Sequence, residues 1–130
     1  MFELRSVLLV ENEYFLAADL EEALTDAGFA TDVVSSGEEA LTLFAGGGAV
    51  NYKVLVTDIR LHGSVNGWEV ARRIRERDPA FPVVYVTSSP AKEWASQGVP
   101  NSMLISKPFE IARLVAAVAN LLNIGVPPSA

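Results

Sequence analysis

Val54-Leu55-Val56-Thr57-Asp58 is an apolar run, rich in β-branched residues, that ends on an acid. The same shape recurs three times: Val7-Leu8-Leu9-Val10 before Glu11-Asn12, Val83-Val84-Tyr85-Val86 before Thr87, and Met103-Leu104-Ile105-Ser106 before Lys107. Strands buried on both faces of a parallel sheet read as short continuous runs of Val, Ile and Leu. In open α/β sheets the site lies beyond the carboxyl ends of such strands. If these runs are neighbours in one sheet, acids, an amide, a hydroxyl and an ammonium converge on one rim. That set suits a metal ion and a phosphoryl group.

Between the runs the pattern turns helical. Leu16, Leu20 and Leu24 recur four apart within residues 13–27, with Asp19, Glu21 and Glu22 on other faces and Gly28 as the stop. Ala30 to Val34 reads as a short strand. Ser36, with Glu39 three residues on, has capping-box spacing ahead of a helix holding Ala40, Leu41 and Phe44. Gly46-Gly47-Gly48 closes that helix as a flexible connection; it lacks the rest of a phosphate-loop motif. A long loop runs from Asp58 to about Gly67, and Trp68 to Arg77 forms the third helix. Phe81 to Val86 is the fourth strand, and a short helix covers Ala91 to Gln97. Residues 109–122 form the last helix, with Ile111, Leu114, Val118 and Leu121 on its buried stripe. Strands alternating with helices through short loops imply one parallel sheet covered on both faces. The expected organisation is one domain over residues 1–124 and a disordered tail at 125–130.

The chain has 130 residues, of which 50% are hydrophobic, enough for a single core. A formal net charge of −6 provides no broad basic face, so no nucleic-acid partner is expected. The absence of cysteine excludes disulfides and thiolate chemistry. No run approaches the roughly 20 apolar residues needed to cross a bilayer. Met1 to Arg5 lacks the basic start and apolar stretch of an export signal. A cytoplasmic location without a membrane partner is the expectation.

On Val10-Glu11-Asn12-Glu13, Thr57-Asp58-Ile59-Arg60-Leu61, Val86-Thr87-Ser88 and Lys107-Pro108-Phe109, the chain resembles a response-regulator receiver domain. This is the CheY-like family of two-component signalling, and the likeness is to its stand-alone, single-domain type over essentially the whole chain. It implies an α/β fold: a flavodoxin-like, doubly wound five-stranded parallel sheet of order 2-1-3-4-5 with five helices. It implies Asp58 as the phosphoacceptor, with Lys107 and Thr87 meeting phosphoryl oxygens. It also implies Mg2+ held by Glu11, Asn12, Asp58 and the Arg60 backbone carbonyl, and a cis Lys107-Pro108 bond. The implied donor is a sensor histidine kinase or a histidine phosphotransferase. The outlet is a downstream protein that the sequence does not identify, and the family allows a homodimer through the fourth helix, fifth strand and fifth helix. No enzyme is implied beyond self-phosphorylation and autodephosphorylation.

The chain departs from the family at several positions. Asn12 stands where a ligating aspartate is usual, which removes one negative charge and predicts weaker Mg2+ binding. It also keeps open an alternative, a pseudo-receiver that binds partners without phosphorylation. Leu104 occupies the place of the family's switch aromatic, so a rotating tyrosine there is excluded. His62, the single histidine, reads as a solvated loop residue, and Trp68 as a packing residue at the start of the third helix. Arg60 and Ser89 each lie two residues beyond a site residue, at positions that in the family tune access of hydrolytic water, and the resemblance implies that role for them. A phosphohydrolase built on Asp58 commonly needs a second acid where Arg60 sits.

Overall fold

The structure, a computed structural model, describes residues 5–45, 52–88, 93–108 and 110–122. Expectations for Gly46-Gly47-Gly48, Ser89, a fourth helix beginning at Ala91, Phe109 and the tail at 125–130 lie outside the described residues. The strands are β1 (Arg5–Val10), β2 (Phe29–Val34), β3 (Tyr52–Asp58), β4 (Val83–Thr87) and β5 (Met103–Ser106). The helices are α1 (Tyr14–Asp26), α2 (Gly37–Ala45), α3 (Gly67–Arg77), α4 (Trp94–Gln97) and α5 (Ile111–Leu121). The strands form one sheet in the order β2-β1-β3-β4-β5, and every neighbouring pair is parallel.

Alternation along the strands divides the core. Leu8, Val10, Leu55, Val83 and Tyr85 pack with Ala40 of α2 and with Trp68, Val70, Ala71 and Ile74 of α3. Val7, Leu9, Val54, Val56, Val84, Val86 and Ile105 pack with Leu20 and Leu24 of α1 and with Leu114 and Val118 of α5. Both faces of β1, β3 and β4 are therefore dry, which explains their unbroken apolar runs.

Helix starts follow local chemistry. The Ser36 hydroxyl accepts from Glu39 N–H at 3.2 Å, as capping-box spacing predicts. The Glu39 carboxylate accepts from the Ser35 and Ser36 hydroxyls. Asn66 caps α3 by accepting from Glu69 N–H at 3.0 Å. The boundary of β4 differs from expectation: the strand begins at Val83, not Phe81. Pro82 has no N–H for the ladder, although its carbonyl still accepts from Leu55 N–H at 3.0 Å. The described part of α4 is only four residues long and holds no buried residue. Among the described residues no helix is long and apolar enough to cross a membrane.

Candidate functional site

Strand alternation aims the site. Successive side chains of a strand point to opposite faces, so residues two apart share one. Glu11 lies two beyond Leu9, Asp58 two beyond Val56 and Lys107 two beyond Ile105, and all three reference residues belong to the α1/α5 face. Parallel strands, β1 beside β3 and β5 one strand further on across β4, then deliver the three side chains to one place at the sheet's carboxyl rim. Lys107 Nζ donates to Asp58 Oδ2 at 3.0 Å and to Glu11 Oε1 at 3.3 Å. The Glu11 side chain is fully buried, and those of Asp58 and Lys107 are 11% and 18% exposed. A lysine buried to this degree is retained because two carboxylates surround it.

The electrostatics follow from burial and pairing. Burial raises the Glu11 carboxyl above its ordinary value, with the Asp58 charge adding to the rise; the Glu13 N–H and Lys107 oppose it without prevailing. Burial alone would depress Lys107, but hydrogen bonds and charges from Asp58 and Glu11 outweigh it and hold the ammonium above its ordinary range. The second Glu11 oxygen, Oε2, accepts from Glu13 N–H at 3.0 Å, at the start of α1. The sequence treats Glu11 as a metal neighbour; the structure adds its role as counter-ion to Lys107.

Thr87 is buried at the end of β4. It shares the pleat of Val83 and Tyr85, the parity opposite to that of Asp58's strand neighbours. Its backbone is tied to the site, because Lys107 N–H donates to the Thr87 carbonyl at 2.6 Å. The Lys107-Pro108 peptide bond is cis, as the resemblance implies. Arg60 lies exposed on the loop after β3. That loop is pulled tight where Gly67 N–H donates to the Ile59 carbonyl at 2.8 Å. A Cβ on Gly67 would collide with the Asp58 carbonyl and the Ile59 Cα, so only glycine lets α3 start so close to Asp58.

His62 is exposed, as expected of a loop residue, yet it is more than a solvated side chain. Its Nε2 accepts from Asn12 Nδ2 at 3.0 Å. Trp68 is buried against Tyr85, with ring centroids 4.7 Å apart. Tyr85 is fully buried, and its hydroxyl accepts from Val99 N–H at 3.1 Å. Leu104, in the switch-aromatic place, packs half-buried against the same cluster.

Whether these residues suit Mg2+ is a question of donor chemistry. The described residues contain no group of three or more His, Cys, Asp or Glu able to hold a metal. Two carboxylates with an amide and a backbone carbonyl are nonetheless the hard oxygen donors that Mg2+ accepts when it keeps waters and shares a phosphate. The donor set fits.

The sequence pattern of the response regulator receiver domain matches residues 7–119. The chain belongs to that family. It is a receiver domain of a two-component response regulator, a class of signalling phosphoacceptors that typically bind Mg2+ and interact with histidine kinases and phosphotransferases. A solved response regulator receiver protein from Sinorhizobium medicae is 45% identical, with a TM-score of 0.88 over 93% of this chain and 96% of that one. The response regulator TrrA of Thermotoga maritima, solved in complex with Mg2+–BeF, is 26% identical with a TM-score of 0.79, over 91% of this chain and 99% of that one. The transcriptional regulatory protein CusR of Escherichia coli is 31% identical over 121 residues, 92% of this chain and 52% of CusR. The receiver chain thus spans about half the length of the curated relatives it matches. Their naming as transcriptional regulators weakens the expectation that nucleic acid plays no part.

Proposed function

We propose that Asp58 accepts a phosphoryl group from a phosphohistidine on a sensor histidine kinase or histidine phosphotransferase, and that the domain signals through altered protein contacts. The carrying observation is the Lys107 ammonium 3.0 Å from Asp58 Oδ2. In the transfer, an Asp58 carboxylate oxygen bonds to phosphorus as the phosphorus–nitrogen bond breaks. The electron pair leaves on the imidazole nitrogen, which then takes a proton. Such transfers depend on positioning and on neutralising equatorial oxygens more than on covalent catalysis. Lys107 holds the attacking carboxylate in place and neutralises one phosphoryl oxygen; the Thr87 hydroxyl hydrogen-bonds another. Glu11, Asn12, Asp58 and the Arg60 carbonyl would hold Mg2+, which when bound supplies the remaining positive charge. Drawing the Thr87 hydroxyl toward the phosphoryl group shifts the β4 end, and with it the surface of α4 and β5. Tyr85, two residues away on the same pleat, carries that shift to Val99.

Incubation with acetyl phosphate and Mg2+, followed by intact-mass measurement, tests the proposal. One added phosphoryl group, lost on Asp58→Asn, is the expected result. No addition, together with unchanged Asp58-region NMR shifts under beryllofluoride and Mg2+, would favour the pseudo-receiver reading that Asn12 keeps open.

A further inference from the structure

We infer that His62 is a positioning residue that sets which end of the Asn12 amide faces the cation site; this rests on the acceptor reading of Asp58. An aspartate at position 12 would present two equivalent oxygens. An asparagine presents one oxygen that can ligate a cation and one NH2 group that repels it. Its terminal torsion is broad and roughly two-fold, so nothing intrinsic to the side chain selects the useful orientation. Here Nδ2 donates to His62 Nε2 at 3.0 Å. Since Nδ2 only donates, the ring nitrogen accepts, and Oδ1, the sole metal-competent atom, is turned off the histidine. The amide end that cannot bind a cation is thereby occupied elsewhere.

His62 is itself held. Its backbone forms an isolated parallel bridge with Ser36, just before α2. Two residues on, Ser64 N–H donates to Glu38 Oε2 at 2.9 Å. Between them Gly63 adopts a φ of 93°, and a Cβ there would lie 2.8 Å from the Glu38 carboxylate. Ser36 and, in the first turn of α2, Glu38 therefore grip the loop at the histidine and just beyond it. Because the His62 ring is exposed, its contact with Asn12 is not a by-product of core packing. Groups that orient a metal ligand are commonly worth a factor of ten or more in affinity.

The test is Mg2+ titration, read from amide NMR shifts of residues 57–62, on wild type, His62→Ala, His62→Gln, Asn12→Asp and the Asn12→Asp/His62→Ala double variant. His62→Ala is expected to weaken binding roughly tenfold and to shift the Asn12 side-chain NH2 resonances before any metal is added. His62→Gln, which can still accept, restores most of the affinity. With aspartate at position 12 the orientation problem vanishes, so removing His62 there changes affinity by less than about twofold. Unchanged binding on His62→Ala overturns the inference alone. So does an equal loss in both backgrounds, which would mark a general loop effect. No Mg2+ response from the wild-type protein overturns the acceptor reading and this inference together.

Discussion

Replacing Lys107 by methionine keeps the length and apolar stem of the side chain but deletes its charge. In the wild-type domain the ammonium faces carboxylate oxygens at 3.0 and 3.3 Å. At an effective dielectric of about 20, each pair is worth about 5 kcal/mol of gross attraction, most of it offset by removing the three groups from water. What the substitution exposes is the uncompensated remainder: a fully buried Glu11 carboxylate beside that of Asp58. Stranding a buried charge in this way costs about 3–5 kcal/mol. The residual exposure of Asp58 and Lys107 sets the expectation at the lower end, about 3 kcal/mol at pH 7. Urea unfolding followed by tryptophan fluorescence, with Trp68 buried against Tyr85 as reporter, measures it. Adding Glu11→Gln should recover at least half of the loss, because it removes the buried carboxylate. A loss below about 1 kcal/mol, or no recovery in the double variant, would refute the account of the site as a lysine-neutralised pair of acids.

Glu11→Gln alone is expected to stabilise the domain at pH 7 by up to about 1 kcal/mol while weakening Mg2+ binding. Because the folded pKa of Glu11 lies above its ordinary value, its protonation stabilises the fold below that value, and this contribution is lost as pH rises through the folded pKa. The advantage of the variant should therefore shrink as pH falls through that window, as urea midpoints at pH 4 to 7 will show. Lys107, with its pKa raised, contributes stability that is fully present at neutral pH and is lost only as pH rises above its ordinary value through the raised one. Gly67→Ala forces a Cβ into the backbone of Asp58 and Ile59 and should cost more than about 2 kcal/mol, read from thermal unfolding. Tyr85→Phe removes the acceptor for the Val99 N–H and should cost about 1–2 kcal/mol in the same urea assay.

The sheet and the meeting of Glu11, Asp58 and Lys107 were legible because both follow from short-range rules. Unbroken apolar runs mark doubly covered strands, and residues at the carboxyl ends of parallel strands in one sheet must share a rim. β4 starts later than the apolar pattern implies, because Phe81 continues the run while Pro82 cannot join the ladder. The contact between Asn12 and His62 was not legible, because it joins residues 50 apart through a loop whose path depends on Gly63 and on Glu38 of α2. A lone polar ring in a loop carries no periodicity from which a partner can be deduced. The relation of Thr87 to the rest is an intermediate case. Its place at a strand end is legible in the sequence, but its opposite pleat emerges only once the strand is assigned.

The 2.6 Å bond from the Lys107 amide to the Thr87 carbonyl gives the ammonium and the hydroxyl a common mounting. Among the described residues β5 is the margin of the sheet, braced by β4 alone. Whatever leans on that outer strand therefore moves the ammonium and the hydroxyl together, and, under the proposed function, a loaded acceptor pulling on either one tugs at the sheet's margin.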